Sequence, residues 1–142
     1  MCLHGRFYLS ERAAVDVWAA RERAKHGGRD AAIPLLREAV DGLFHAGQIG
    51  YCVPASAALV ETLLERGTGA DTVEAEAAID RLADAPVEEG LVIRDIWLLR
   101  MRALLAQALC DETVYRDYRD RYREMATSLG FEGHMKWAEA MP

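Results

Sequence analysis

The sequence predicts an all-α protein with about seven helices. Apolar residues recur at steps of three and four along most of the chain, which is the spacing of one helical face. Glycine and proline interrupt this pattern at 27–28, 47–54, 67–71, 85–86 and 130, where separate helices would be joined. No segment alternates between apolar and polar side chains strongly enough to require a β-sheet. The pattern therefore favours a series of helices connected by short turns.

The first predicted helix spans residues 10–26. Ser10 is its expected N-cap, and Glu11 follows in the first turn, where the helix dipole favours an acidic side chain. Basic residues lie in the last turn and Gly27 comes directly after it, as is typical of a helix end. The apolar stripe of this helix contains Ala14, Val15, Trp18 and Ala19.

The second and third predicted helices span 29–46 and 54–66, with the break at 47–54 between them. Asp30 is the expected cap of the second helix, and Pro34 lies in its early turns, where proline does least harm. The apolar face of the second helix contains Ile33, Leu36, Val40, Leu43 and Phe44. The third contains Ala58, Val60, Leu63 and Leu64.

The fourth and fifth predicted helices span 72–83 and 91–109, and Asp71 or Thr72 is expected to cap the fourth. The apolar members of the fourth helix are Val73, Ala77, Ile79 and Leu82. The fifth helix has two apolar faces. One contains Trp97, Leu98, Met101, Leu104, Leu105 and Ala108, and the other contains Val92, Ile96 and Leu99. A helix that is apolar on two sides is usually packed on two sides, so we expect the fifth helix to be the central element.

The sixth and seventh predicted helices span 112–129 and 132–141, with Asp111 as a cap and Gly130 as the stop between them. The sixth contains the stretch YRDYRDRYRE at 115–124, which suggests either a nucleic-acid reader or a packed helix. At about 100° per residue, six side chains share one stripe: Val114, Tyr115, Tyr118, Tyr122, Met125 and Leu129. The arginines and acids then share the outer surface, so we expect the tyrosines to pack on the fifth helix.

The predicted helices form pairs that begin near residues 10, 52 and 90, with an offset of about 40 residues. This offset is the scale of helix-hairpin repeats such as tetratricopeptide or HEAT units. The segment AAIPLLREAV (31–40) looks like the inner helix of a tetratricopeptide unit, although the paired outer helix does not match the consensus. We therefore predict degenerate tetratricopeptide-like hairpins in a right-handed α-α stack, forming a single domain over 1–142.

The charge and composition favour a helical domain in the cytoplasm. The chain has 142 residues, a net charge of −6 and 51% hydrophobic residues. Direct binding to nucleic acid is disfavoured because phosphate neutralisation normally requires a basic surplus. We expect no membrane segment and no signal peptide, since the chain has neither a long apolar run nor a basic start followed by one. The three cysteines have no short spacing that fits a zinc site or a disulfide framework.

No motif nominates a catalytic, cofactor-binding or metal-binding residue, so we expect none of these sites and no enzymatic activity. GTGAD at 67–71 lacks the strand and the lysine of a phosphate loop and is expected to be a turn. No two of the four histidines are three or four residues apart, as a helical metal pair would be. Catalysis by His134 with Glu132 or Glu139 is conceivable, but a structural role is favoured.

The chain after about residue 29 resembles the C-terminal helical region of large actinobacterial regulators. The segments that carry the resemblance are ASAALVETLLERG (55–67), AEAAIDRLADAP (75–86), RDIWLLRMRALLA (94–106) and YRDYRDRYREMATSLGFEGHMKWAEAM (115–141). Those regulators join a class III nucleotide cyclase domain, a signal-transduction ATPase domain and a helical repeat tail, and some end in a LuxR-type helix-turn-helix. Neither the cyclase metal-binding motif nor a Walker A loop occurs here, so the resemblance implies a helical interaction tail without either activity.

Three functional hypotheses follow. The leading one is a non-catalytic helical-repeat module that mediates protein-protein contact or regulation in a cyclase- or ATPase-type signalling protein. The alternatives are a part of a DNA-binding transcriptional regulator and a helical domain that binds a small molecule. A protein partner or a neighbouring domain is expected under the leading hypothesis. A homo-oligomer through the apolar end of the first helix, with Phe7, Tyr8 and Trp18, is a further expectation.

Overall fold

The computed structural model describes residues 28–85 and 92–142 and shows only α-helices as regular elements within them. The helices are α1 Arg29–His45, α2 Ile49–Arg66, α3 Gly69–Asp84, α4 Val92–Ala108, α5 Glu112–Leu129 and α6 Glu132–Ala140. The all-α prediction is confirmed, with six helices in these ranges rather than about seven. The first predicted helix, at 10–26, lies outside the described residues. None of the six helices is both long and apolar enough to cross a membrane.

The chain divides into two compact units, Met1–Val87 and Glu88–Pro142. The described part of the first, here called the N-terminal unit, contains α1 to α3. The described part of the second, here called the C-terminal unit, contains α4 to α6. In the N-terminal unit α2 packs against both α1 and α3. Because α2 is covered from two sides, most of its side chains are buried: Cys52, Val53, Ala55, Ser56, Ala57, Ala58, Leu59, Val60, Thr62 and Leu63.

The predicted start of the third helix at Pro54 is wrong, because α2 already begins at Ile49. The only true break in the segment 47–54 is Gly47, whose φ of 72° lies in the left-handed region that glycine adopts without strain. Gly50 and Pro54 lie inside α2, and neither of them ends the helix.

The predicted cap of the fourth helix is also corrected. Thr68 is the N-cap of α3, and its hydroxyl accepts a hydrogen bond from the Asp71 amide, while the Asp71 carboxylate accepts one from the Thr68 amide. This reciprocal pair is a capping box, and it extends the helix back to Gly69. Gly67, with φ of 74°, ends α2, so the turn expected over GTGAD is confined to Gly67 and Thr68, and Gly69 to Asp71 form the first turn of α3. Asp30 makes no cap hydrogen bond at the start of α1, where Gly28 is the N-cap.

The apolar faces are confirmed for α1 and only in part for α3. Four of the five predicted residues of α1 are buried: Ile33, Leu36, Val40 and Leu43. In α3, Ile79 and Leu82 are buried, but Val73 is 69% exposed and Ala77 is exposed as well. The buried line of α3 runs instead through Asp71, Ala75, Ile79 and Leu82. The inward position of Asp71 turns Val73 and Ala77 towards solvent.

In the C-terminal unit α5 packs along α4 on one side and α6 on the other. Asp111 caps α5 through its side chain, and Gly130 ends it with φ of 68°, so both predicted helix limits are confirmed. The core of the unit contains Ile96, Ala103, Ala106, Tyr115, Tyr122, Ala126, Ala138 and Met141. Ile96 and Met101, one from each predicted apolar face of α4, are both fully buried.

Candidate functional site

A buried histidine lies at the centre of an aromatic cluster in the C-terminal unit. His134 on α6 is 9% exposed, and four aromatic rings surround it: Trp97, Tyr122, Phe131 and Trp137. The ring centroids of Trp97 and Trp137 lie 4.8 and 5.1 Å from that of the imidazole, in edge-to-face orientation. We call these five residues the aromatic cluster.

The imidazole is bonded directly to a tyrosine. The Tyr122 hydroxyl oxygen lies 2.7 Å from Nδ1 of His134, and both groups are buried. A neutral imidazole protonated on Nε2 accepts a hydrogen bond from this hydroxyl through Nδ1. The structure thus provides a buried phenol–imidazole pair instead of the histidine–glutamate pair that the sequence suggested. Glu132 and Glu139 are both exposed.

The short turn between α5 and α6 brings Tyr122 and His134 together. Gly130 takes up the left-handed conformation, and its amide donates to carbonyls of the last turn of α5. The Phe131 amide also bonds back, to the Ala126 carbonyl, so only two residues separate the helices. The chain reverses direction within those two residues, which places His134 in the first turn of α6 against Tyr122 on α5.

Burial lowers the pKa of His134 below its ordinary value of 6.5, and the positive charge of Arg100 acts in the same direction. The Arg100 guanidinium lies 4.9 Å from the centre of the Trp137 ring, on the same cluster. The imidazole is therefore held neutral near pH 7. A neutral imidazole beside a phenol can exchange a proton, so the pair has acid–base character in a mostly apolar setting.

The arginines of YRDYRDRYRE correct the prediction that all of them lie on the outer surface. Arg123 donates to the carbonyls of Ala138 and Met141, and Arg119 donates to the Pro142 carbonyl oxygen at 2.8 Å. The Tyr115 hydroxyl donates to the same Pro142 oxygen at 3.0 Å. These bonds hold the C-terminal end of α6, and we call them the carbonyl clamp. The Met141 and Pro142 acceptors follow the last residue of α6, and the Ala138 carbonyl also accepts from the Met141 amide.

The tyrosine stripe is confirmed at its centre and displaced at its edge. Tyr115 and Tyr122 are buried, and Tyr118 is half-buried, with the Arg121 guanidinium 5.3 Å from its ring centre. Val114 and Leu129, expected on the same stripe, are each 39% exposed. The buried face is rotated towards Ala126 and the arginines of the carbonyl clamp. The tyrosines therefore serve packing and hydrogen bonding inside the unit.

A second feature lies in the N-terminal unit, where arginine–carboxylate pairs join α1 to α3 across α2. Arg37 forms two hydrogen bonds to Glu74, of 2.6 and 2.5 Å. Arg81 donates to Asp41 at 2.6 Å, and its guanidinium lies 4.1 Å from the centre of the Phe44 ring. An open cleft of about 790 Å³ lies at the Arg81–Asp41 pair. It is lined by Glu38, Asp41, Gly42, Phe44, His45 and Arg81.

A third arginine, Arg66, stabilises the turn between α2 and α3. Arg66, at the end of α2, donates to both carboxylate oxygens of Asp71 at 2.8 and 2.5 Å, and to Asp30 at 3.1 Å. Asp71 is 1% exposed, and the Arg66 hydrogen bonds lower its pKa from the ordinary value of 3.8, with the Thr68 bonds acting in the same direction. The bidentate geometry and the capping box together explain why a carboxylate is buried here.

The net charge of the chain resides in residues 28–85. This range has four arginines and no lysine against ten aspartates and glutamates, whereas residues 92–142 have eight basic and eight acidic side chains. Each of the four arginines contacts at least one carboxylate: Arg29, Arg37, Arg66 and Arg81. The negative surplus therefore lies on the remaining acids of α1 to α3, which include Glu38, Glu76, Asp80 and Asp84.

The sequence had nominated no site residue, and the structure brings together two groups that it could not have assembled. Tyr122 and His134 are twelve residues apart in the chain, and Trp97 lies on a different helix from both. Across the described ranges, no group of three His, Cys, Asp or Glu side chains is placed to hold a metal ion. No protein-family model, curated protein or solved structure matches this chain.

Proposed function

We propose that this protein is a non-catalytic helical-repeat module that binds a protein partner or a neighbouring domain in a cyclase- or ATPase-type signalling protein. The proposal joins the resemblance of the sequence to the helical tails of such regulators with the cleft between α1 and α3. The observation that carries the proposal is the negative surplus of residues 28–85, where the cleft lies and to which its exposed lining residue Glu38 contributes. The charge selects a partner segment rich in lysine and arginine.

The tetratricopeptide-like arrangement is part of this proposal. Helices α1 and α3 both pack on α2, and side-chain pairs rather than backbone contacts link them to each other. The cleft is lined by residues of the second half of α1 and by Arg81 of α3, and stacked helical hairpins use surfaces between helices to bind extended segments.

Site-specific photo-crosslinking tests this function. A photoreactive amino acid replaces His45, an exposed residue that lines the cleft, in the full chain, and a second probe replaces Thr113, which is exposed on α5. We expect the His45 probe to form an adduct with one partner protein, on a segment rich in lysine and arginine. The Thr113 probe should form no such adduct. An adduct from neither position, or one on an acidic segment, would contradict the proposal.

Two matched charge-reversal variants distinguish binding of the partner at the cleft from general attraction of a basic partner to an acidic protein. The double variant Glu38→Lys with Asp84→Lys reverses two exposed charges of the N-terminal unit, and one of these residues, Glu38, lines the cleft. The control Glu124→Lys with Glu139→Lys makes the same change on exposed residues of the C-terminal unit. We expect the first variant to lose the adduct and the control to keep it. Equal loss in both variants would show that the cleft has no special role.

A further inference from the structure

The aromatic cluster has a property that the proposed function does not use: its central residue changes charge in a physiological pH range. Histidine is the side chain whose ordinary pKa of about 6.5 places its charge change between pH 5 and 8. Here the imidazole is enclosed by four rings and bonded to a buried hydroxyl. Placing a full positive charge at this position removes it from water, which disfavours the charged form.

The groups that face His134 from the neighbouring helices determine whether its charged form is favoured or disfavoured. From α4 the charged group is Arg100, and from α5 the titratable group is Tyr122. On α6 itself the charged residues Glu132, Lys136 and Glu139 are all exposed. Among the described residues, the surroundings of the imidazole therefore supply one cation and no carboxylate. An imidazolium would gain no ionic partner from them.

Cation–π attraction to the tryptophans would act in the opposite direction, favouring the imidazolium. Two contacts reduce it. The Trp137 ring is already occupied by the Arg100 guanidinium, 4.9 Å from its centre, so a second cation near that ring is repelled by the first. In addition, protonation places a hydrogen on Nδ1, so the Tyr122 hydroxyl must change from donor to acceptor to keep its hydrogen bond to that atom. The neutral imidazole is the form that fits the cluster.

We propose that Tyr122 and His134 form a proton-sensitive latch on α6. Proton uptake by His134 releases the first turn of α6 from α4 and α5. The carbonyl clamp of Arg119, Arg123 and Tyr115 keeps the C-terminal end of α6 attached. Opening about that end exposes the faces of Trp97 and Phe131 that pack on the imidazole. Acidification would thereby enlarge the apolar surface that Phe131 and Trp137, both partly exposed, already present at neutral pH.

Hydrogen–deuterium exchange of the full chain tests the latch. Exchange of α6 amides is measured at pH 7.5, 6.5, 5.5 and 5.0, with exposure times corrected for the intrinsic effect of pH. In the wild-type chain we expect the opening of α6 to increase about tenfold per pH unit below 6.5 until His134 is fully protonated. In His134→Phe, which keeps an aromatic ring and removes the proton site, this increase should vanish.

The control is His45→Gln, which removes a histidine at the exposed end of α1 in the other unit. This variant should keep the wild-type response of α6. An equal pH response in wild type and His134→Phe would overturn the proposal, and so would loss of the response in His45→Gln. The exchange of α5 amides provides an internal reference, because general unfolding would raise exchange in both helices together.

Two further measurements test the latch if His134→Phe does not fold. NMR titration of the His134 imidazole in the wild-type chain should give a midpoint below 6.5, and a midpoint at or above 6.5 would overturn the latch. The variant Tyr122→Phe keeps both rings and removes the hydroxyl. Its α6 amides should exchange faster than wild type already at pH 7.5, and its imidazole midpoint should move towards 6.5. An unchanged exchange rate and midpoint would also overturn the proposal.

Discussion

The hydroxyl of Tyr122 on α5 lies 2.7 Å from Nδ1 of His134 on α6, and both side chains are buried. Buried polar groups are costly unless they are hydrogen-bonded, so each residue of this pair satisfies the other. The bond also fixes the orientation of the imidazole among the aromatic rings. The packing of α6 against α5 therefore depends on the hydrogen bond between these two atoms.

Replacing Tyr122 by phenylalanine should lower the free energy of unfolding of the C-terminal unit. The ring that fills the core is kept, but Nδ1 of His134 loses its partner in a buried position. We expect a loss of about 1–2 kcal/mol at pH 7.5, the usual cost of leaving a buried acceptor unsatisfied. Urea unfolding followed by circular dichroism measures this loss.

Tyr118→Phe is the matched control for that experiment. Tyr118 belongs to the same helix and the same stripe, but it is only half-buried and its ring lies beside Arg121. Removing its hydroxyl should change the free energy of unfolding by less than about 0.5 kcal/mol. Equal losses in the two variants would mean that the bond to His134 contributes nothing specific.

The inward placement of Tyr115 and Tyr122 could be predicted from the sequence because helical periodicity is a local property. The positions of Arg119 and Arg123 could not, because a helical wheel assigns charged residues to solvent. Their acceptors are the Ala138 carbonyl in α6 and the carbonyls of Met141 and Pro142, which follow that helix. One signal was available: counting outward from Gly130 in both directions brings Arg123 near Ala138 and Arg119 near Pro142. The turn and its register, rather than composition, determine this contact.

The predicted start of α2 was wrong for a different reason, because it depended on how glycine and proline were interpreted. Glycine and proline in the segment 47–54 were given equal weight as breaks, although their effect depends on position in the helix. Only Gly47 has the left-handed conformation that ends a helix. The capping box of Thr68 and Asp71 likewise needed the correct register, since a cap can be assigned to several neighbouring residues. The aromatic cluster draws on three helices, so no local pattern could have revealed it.

Asp71 provides a prediction for the N-terminal unit. Its folded-state pKa is lowered by Arg66, so its stabilising contribution is present above the unfolded value of 3.8 and is lost as the pH falls below it. Asp71→Asn keeps the size of the side chain and removes the charge. We expect this variant to lose about 2 kcal/mol of unfolding free energy at pH 7, with a smaller difference from wild type at pH 3.

Asp80→Asn controls for the loss of one negative charge on the same helix. Asp80 is exposed on α3, and its replacement should change stability by less than about 0.5 kcal/mol at either pH. Urea unfolding of the three proteins at pH 7 and pH 3 gives the comparison. If the difference between wild type and Asp71→Asn were the same at both pH values, the ionised carboxylate would not be its source.

The two described cysteines should react at very different rates. Cys52 is fully buried in α2, and burial raises the pKa of its thiol to about 11. Cys110 is exposed in the turn between α4 and α5. Because the thiolate is the reactive form, iodoacetamide at pH 8 should modify Cys110 at least about 100-fold faster than Cys52. Mass spectrometry of digested samples measures each site separately, and in 8 M urea the two rates should converge.

Two glycines near the turn between α5 and α6 should respond to alanine with opposite signs. Gly130 has φ of 68°, a conformation in which a Cβ is strained, so Gly130→Ala should lower the free energy of unfolding by about 1 kcal/mol. Gly133 lies inside α6, and a Cβ there meets no atom within 4 Å. Gly133→Ala should therefore raise stability by about 0.5 kcal/mol, because alanine loses less conformational freedom in a helix. Thermal unfolding of both variants checks the signs, and destabilisation by Gly133→Ala would contradict the helical start of α6.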